Sequence, residues 1–297
     1  MRRIHILVFV SLLPWVISTE TASAQAVDNE GRQLIEAPFT ATPPKIDGEM
    51  SPGEWSGAGT NTVDFIKLGV AGNGGPGVAD DANDISYTFY VMYDNTYLYI
   101  GVSVKDDIYV STNYGRNLQY DMPVTWEDDA VEYFFDGDLS RTTESCRNET
   151  ETATGGQWLM ALGDEKSPLP FVAAVIYGNH ERPFGSGADD SWYAVTKINS
   201  NKHDWSQEAR FRLDILGSPA AGKEIGFDIA VDDIDIIDDQ TLEPDYVLTE
   251  GRDIQLYWCS FPHEVGEIAT ENTHELESMW GTLRFLKPTV ISDWSLF

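Results

Sequence analysis

The stretch Tyr97-Leu-Tyr-Ile-Gly-Val-Ser-Val-Lys105 decides the fold. Leu98, Ile100, Val102 and Val104 fall on one side; Tyr97, Tyr99, Gly101, Ser103 and Lys105 fall on the other. A period of two marks a half-buried strand, because successive side chains leave opposite faces of the pleat. Residues 85–93 repeat the pattern, and Tyr93-Asp-Asn-Thr96 between the two runs reads as a tight turn. Together they predict a β-hairpin.

Working outward, the same period predicts strands over 130–136, 156–162, 171–177, 192–198, 207–213, 225–231, 254–258 and 281–286. No segment keeps a helical period for more than a turn or two. Short strands separated by Gly, Pro, Asn and Asp clusters predict an all-β fold, a single antiparallel β-sandwich or jelly roll. The connections 69–84, 137–155, 178–191 and 232–253 are long, and loops of this length in a compact domain are usually functional or mobile. With no internal repeat and no proline-rich linker, one sandwich is expected over 37–288, after a leader at 25–36 and before a tail at 289–297.

The first residues carry an address. Met1-Arg-Arg3 is followed by a mostly apolar run from Ile4 to Ile17 and then by Ala22-Ser-Ala24. This is the pattern of a secretory signal peptide over 1–24, cleaved after Ala24, which implies a secreted or periplasmic protein. The run is short for a membrane anchor and contains Pro14, and no other segment reads as a membrane span. The whole chain holds 19 basic and 49 acidic residues, a formal charge of −30. Without Arg2, Arg3 and Glu20 the balance is 17 basic against 48 acidic, or −31. Such a surface repels phosphate backbones, so nucleic acid is excluded as an expected partner. It suits neutral ligands and divalent cations. Aromatics at 12% and hydrophobics at 42% are enough to build a core despite the charge. Outside the cytosol, Cys146 and Cys259 can close one disulfide over a long loop; two buried thiols are the alternative.

Several local patterns stand in a telling order: Pro44-Lys-Ile-Asp-Gly-Glu-Met-Ser-Pro-Gly-Glu-Trp55, then Tyr93-Asp-Asn-Thr-Tyr-Leu-Tyr-Ile100 leading to Val104-Lys-Asp-Asp107, then Trp126 to Asp136. Later come Gln207-Glu-Ala-Arg-Phe211, Ile225-Gly-Phe-Asp-Ile-Ala-Val-Asp-Asp233 and Met279-Trp-Gly-Thr-Leu-Arg-Phe285. Taken together they resemble the family 9 carbohydrate-binding modules, relatives of the DOMON-like β-sandwiches. The resemblance implies a polysaccharide or oligosaccharide partner and a role in polysaccharide breakdown, with bound calcium in some members. In that family two tryptophans clamp a terminal sugar while polar groups hold its hydroxyls. Trp126 matches the first clamp position and Glu132 a hydroxyl-binding glutamate. In Glu271-Asn-Thr-His274, His274 stands where the second tryptophan is expected, with the Asn272 amide beside it. The family's arginine and asparagine of a middle strand are not matched, since Gln157-Trp-Leu-Met-Ala161 places Leu159 and Ala161 there.

The residues support this chemistry on their own terms. Sugars offer a face of C–H bonds and a rim of hydroxyls, so an aromatic platform beside carboxylates or amides suits them. Trp126 precedes a strand, next to Glu127, Asp128 and Asp129, where packing on the sandwich edge is the plain alternative. Alternation puts Glu132 with Ala130 and Phe134, opposite Val131, Tyr133 and Phe135. A carboxylate there needs a ligand or a structural partner such as Arg210 or Arg212. The acidic run Asp228 to Asp239 invites calcium, with Asp232 and Asp233 as expected ligands and Asp47 as a third; a solvated acidic face is the alternative. Asp94 and Asp106 sit in others of the matching motifs and are further possible ligands.

Two other classes stay open from the residues. A glycan-active hydrolase needs a carboxylate pair about 5–9 Å apart, and nothing singles one out. A DOMON-like haem protein needs axial ligands, and Met92, Met160 and His180 are present without an evident pairing. No organic cofactor is expected.

Overall fold

The computed structural model describes residues 26–64, 70–71, 83–107, 109, 129–143, 155–161, 175–177, 191–201, 203–233, 254–259, 261 and 273–288. The expected signal peptide lies outside them. Thirteen strands are described: β1 (Leu34–Ala37), β2 (Gly59–Val63), β3 (Val70–Ala71), β4 (Ile85–Tyr93), β5 (Tyr97–Asp106), β6 (Ala130–Asp136), β7 (Gly155–Ala161), β8 (Val175–Tyr177), β9 (Trp192–Ile198), β10 (Trp205–Arg212), β11 (Glu224–Asp233), β12 (Ile254–Tyr257) and β13 (Gly281–Phe285). Among the described residues the helical elements are short 3-10 turns, at Leu213–Leu216, Thr273–Glu275 and Glu277–Met279, and no helix is long and apolar enough to cross a membrane.

The strands form two sheets of a sandwich. One runs β2-β4-β5-β10-β9; the other runs β1-β13-β11-β6-β7-β8, with β12 beside β11 and β3 beyond it. Every ladder is antiparallel except β1 with β13. The predicted hairpin is β4–β5, with Ile85 opposite Asp106 and Tyr93 opposite Leu98. The chain joins the sheet at Leu34, three residues ahead of the expected boundary at 37, and Arg32 is already buried.

Alternation turns one side of each strand into the gap between sheets. Phe89, Phe135, Phe211, Phe227, Trp158 and Trp258 meet there, all fully buried, with Phe135 4.9 Å from Phe211 and 5.5 Å from Phe227 between ring centroids. Such edge-to-face and tilted pairs add about 0.5–1.5 kcal/mol each beyond their burial. Hydroxyls tie the sheets together through the same core. Tyr87 Oη donates towards Ile229 O (3.0 Å) and Leu256 O (3.1 Å), and Tyr133 Oη donates to Gln207 Oε1 at 2.6 Å.

The outer face of the five-stranded sheet carries a strap, residues 45–55, which lays Ile46, Met50 and Trp55 against Tyr90, Met92 and Tyr99. Gly101 makes this approach feasible. A Cβ there would stand 2.7 Å from Met50 Cε and 2.8 Å from Trp55 Cε2. Gly101→Ala is therefore expected to destabilise the protein by about 1–2 kcal/mol through overpacking, read as a lower midpoint in chemical denaturation. An unchanged midpoint would mean that the strap is loosely held.

Candidate functional site

Three carboxylates converge at one end of the sandwich. Asp106 ends β5, Asp129 immediately precedes β6, and Asp233 ends β11. By alternation Asp106 follows Val102 and Val104, Asp129 leads Val131 and Tyr133, and Asp233 follows Ile229 and Val231. All three thus turn towards the gap between the sheets, one from the five-stranded sheet and two from the eight-stranded. They are buried, and a carboxylate oxygen of each lies within 4.8 Å of the others. Trp205 Nε1 donates to Asp106 Oδ2 at 3.0 Å, fixing one of them from β10.

This donor set fits a hard cation. Oxygens each about 2.4 Å from one calcium ion lie no more than about 5 Å apart, and the three carboxylates meet that limit. Three like charges removed from water repel strongly unless a cation offsets them.

The expected ligands Asp47, Asp232 and Asp233 are not brought to one place. Asp233 belongs to the triad, whereas Asp232 faces the opposite side of β11, in register with Ala130 and Gln255. Strand alternation continues to the last residue of β11, so two consecutive aspartates cannot serve one inward site. Asp47 lies on the strap, across the five-stranded sheet from Asp106, and pairs with Lys45 at 2.5 Å. There it helps line an open cleft of ≈ 520 Å³ with Thr40, Lys45, Ser51 and Glu54.

The outer face of the eight-stranded sheet carries the second grouping. Ala130, Glu132 and Phe134 point away from the core, and Phe134 packs in tilted contact with Trp280 (5.5 Å) and Tyr257 (5.6 Å) between ring centroids. Glu132 is 1% exposed, on a strand flanked by β11 and β7. Gln157 Nε2 on β7 donates a short hydrogen bond to Glu132 Oε2. Gln157 Oε1 is buried without a hydrogen-bond partner among the described residues. Burying an amide oxygen unpaired costs about 1–3 kcal/mol, so an incoming donor would be well received there.

The two arginines considered for Glu132 are elsewhere. Arg210 lies over the Tyr97 and Tyr193 rings, at 4.9 and 5.4 Å, and Arg212 pairs with Asp214 at 2.6 Å, both on the outer side of the other sheet. β10 alternation sends Arg210 and Arg212 outward with Glu208, while Ala209 and Phe211 fill the core.

His274 lies in the 3-10 turn Thr273–Glu275 and is half-buried. Trp280, fully buried, donates from Nε1 to Thr273 O at 2.8 Å. That bond and the Phe134–Trp280 ring contact place the His274 segment on the same outer face as Glu132. Trp126, Asn272 and Cys146 lie outside the described residues; Cys259 is buried, and its backbone N–H donates to Asp228 Oδ1 at 2.9 Å. Of the haem candidates, Met92 packs in the cluster with Trp55 and Tyr99. The Met160 side chain and His180 lie outside the described residues.

Residues 46–243 match the family described as carbohydrate family 9 binding domain-like. No curated protein matches the chain. A family 9 carbohydrate-binding module from Caldicellulosiruptor kristjanssonii, solved with cellotriose, superposes with a TM-score of 0.55 at 17% identity, covering 88% of this chain and 97% of its own. The same organism's module solved with glucose gives 0.54 at 18%, covering 88% and 100%. At such identities the likeness speaks for a shared sandwich. With two thirds of its length matched in sequence, the chain belongs to the carbohydrate family 9 binding domain-like family.

Proposed function

We propose that the protein is a secreted carbohydrate-binding module, non-catalytic by itself, that takes an oligosaccharide on the outer face of its eight-stranded sheet. Glu132 and Gln157 form the polar floor, Trp126 the stacking platform, and Asn272 and His274 the opposite wall. Calcium at Asp106, Asp129 and Asp233 clips the two sheets together. The ion would supply charge neutralisation, and Asp129 would carry that order to Trp126, three residues upstream.

The observation that carries the reading is the Glu132–Gln157 pair. A buried carboxylate and amide on an outward sheet face, beside three buried aromatic rings, set hydroxyl partners next to apolar side chains. Gln157 Oε1 asks for a donor, which a sugar hydroxyl provides. Family membership supports a carbohydrate ligand, and the relatives solved with cellotriose and glucose suggest trying β-linked glucans first.

The test is affinity electrophoresis and calorimetry with cellotriose. Glu132→Gln is expected to weaken binding at least tenfold, about 1.4 kcal/mol, with little change in melting temperature, and Trp126→Ala to abolish retention. Full affinity in both variants would sink the assignment. Release of reducing sugar that Glu132→Gln or Asp129→Asn removes would favour the hydrolase instead.

A further inference from the structure

Two arginines converge on the segment that carries His274. Arg32, in the turn before β1, donates from Nη1 to Ser278 O through a short bond and to Trp280 O at 3.2 Å, and its guanidinium lies 4.3 Å over the Phe261 ring. Arg141, in the turn after β6, donates from Nη1 to the same Trp280 O at 2.9 Å and to Gly281 O at 2.8 Å. Its Nη2 donates to Thr282 Oγ1 at 2.6 Å.

Smaller bonds surround these. Thr282 Oγ1 also bonds Asp28 Oδ2 (2.6 Å), Ser140 Oγ donates to Glu277 Oε2 (2.5 Å), and Ser278 N donates to Thr142 O (3.0 Å). So the amino-terminal turn and the β6 turn grip one stretch of backbone from two sides.

The chain commits scarce resources to this grip. Cations are outnumbered 19 to 49, yet here two guanidiniums serve main-chain carbonyls. Arg141 holds a left-handed backbone, φ 54°, beside Leu139 at φ 58°. A non-glycine residue pays for that conformation, and such residues cluster at functional sites. Asp136 maintains it, its carboxylate accepting from Ser140 N and Arg141 N at 3.0 Å each. A planar guanidinium with five donors can reach several carbonyls at once; an ammonium satisfies them less well. Arg32 and the 273–282 segment both lie outside the 46–243 family match, and Arg141 lies within it, so the grip ties the flanks of the chain to the matched domain.

We infer that Arg32 and Arg141 are positioning residues that fix the 273–280 segment, the wall bearing His274, by its carbonyls. The amino-terminal turn is then a working part of the binding module. The inference rests on the glycan reading for its consequence, but the grip itself is measurable without ligand.

The full chain is compared with Arg32→Met and Arg32→Lys by hydrogen exchange and by cellotriose titration. Arg32→Met is expected to speed exchange over 273–280 at least tenfold while β11 keeps its protection, and to weaken cellotriose at least fivefold. Arg32→Lys should fall between parent and Arg32→Met, and it carries the comparison if Arg32→Met does not fold. Parent-like exchange over 273–280 in both variants overturns the inference. So does faster exchange with cellotriose affinity unchanged. If the parent itself binds no cellotriose while exchange rises as expected, the grip stands and the failure belongs to the glycan reading.

Discussion

Chelation of calcium is expected to lower the melting temperature by about 5–10 °C. An ion held by the folded state alone stabilises it by about 2.7 kcal/mol at a hundred times its dissociation constant. In a chain of this size that converts to roughly 2–4 °C per kcal/mol. The effect originates at Asp106, Asp129 and Asp233, which join the two sheets at the end of the core. Removing the ion leaves three buried carboxylates facing one another, so the loss falls on the contact between sheets. The sharper test is Asp129→Asn. The variant should show no calcium-dependent shift, and in chelator it should melt above the chelated parent, because one of three repelling charges is gone. Equal melting of parent and variant with and without chelator would return the triad to the status of an acidic cluster with no ion.

How much of this was legible in the sequence follows from what alternation can carry. The ten expected strands all have counterparts, since period two survives wherever one face is buried. β1, β2 and β3 escaped it. Leu-Ile-Glu-Ala is too short to show a period, Gly-Thr-Asn-Thr-Val is an edge run of polar residues, and β3 has two residues. The opposite orientations of Glu132 and Tyr133 were also legible, and the structure keeps them.

The partners were not legible, because pairing across a sheet depends on register, which no local pattern encodes. Glu132 meets Gln157 because β7 lies beside β6, two strands that a long connection separates. The aspartate triad lies between these extremes. Asp106 two residues after Val104, Asp129 two before Val131 and Asp233 two after Val231 all extend inward rows. Following each row one step past its last apolar residue would have found the set. What sequence could not supply was that β5, β6 and β11 bring those three ends to the same edge.

Glu208→Gln is expected to cost about 3 kcal/mol although it removes a buried charge and keeps the shape. Glu208 is fully buried on β10 beneath the strap. Its Oε1 accepts from Trp55 Nε1 at 2.9 Å, and its Oε2 accepts from the backbone N–H of Asp47 and of Gly48 at 2.9 Å each. Three donors therefore address both oxygens. A carboxylic acid keeps a lone pair on each oxygen, whereas an amide must turn an NH₂ towards one set of donors. Burial pushes the Glu208 carboxyl up to about 7 from 4.5, against the three hydrogen bonds, and the Glu54 carboxylate adds to the rise. The folded chain thus holds a proton that the unfolded chain has released. This contribution to stability is whole below about pH 4.5 and is lost as pH rises through about 7. The gap between parent and Glu208→Gln should accordingly narrow from pH 5 to pH 8 without closing, because the opposed donors remain. A variant as stable as the parent at pH 8 would show that charge alone governs the site. The double variant with Trp55→Phe separates the two causes. With no indole N–H to oppose the amide, more than half of the Gln penalty should disappear, a coupling that a double-mutant cycle reads directly.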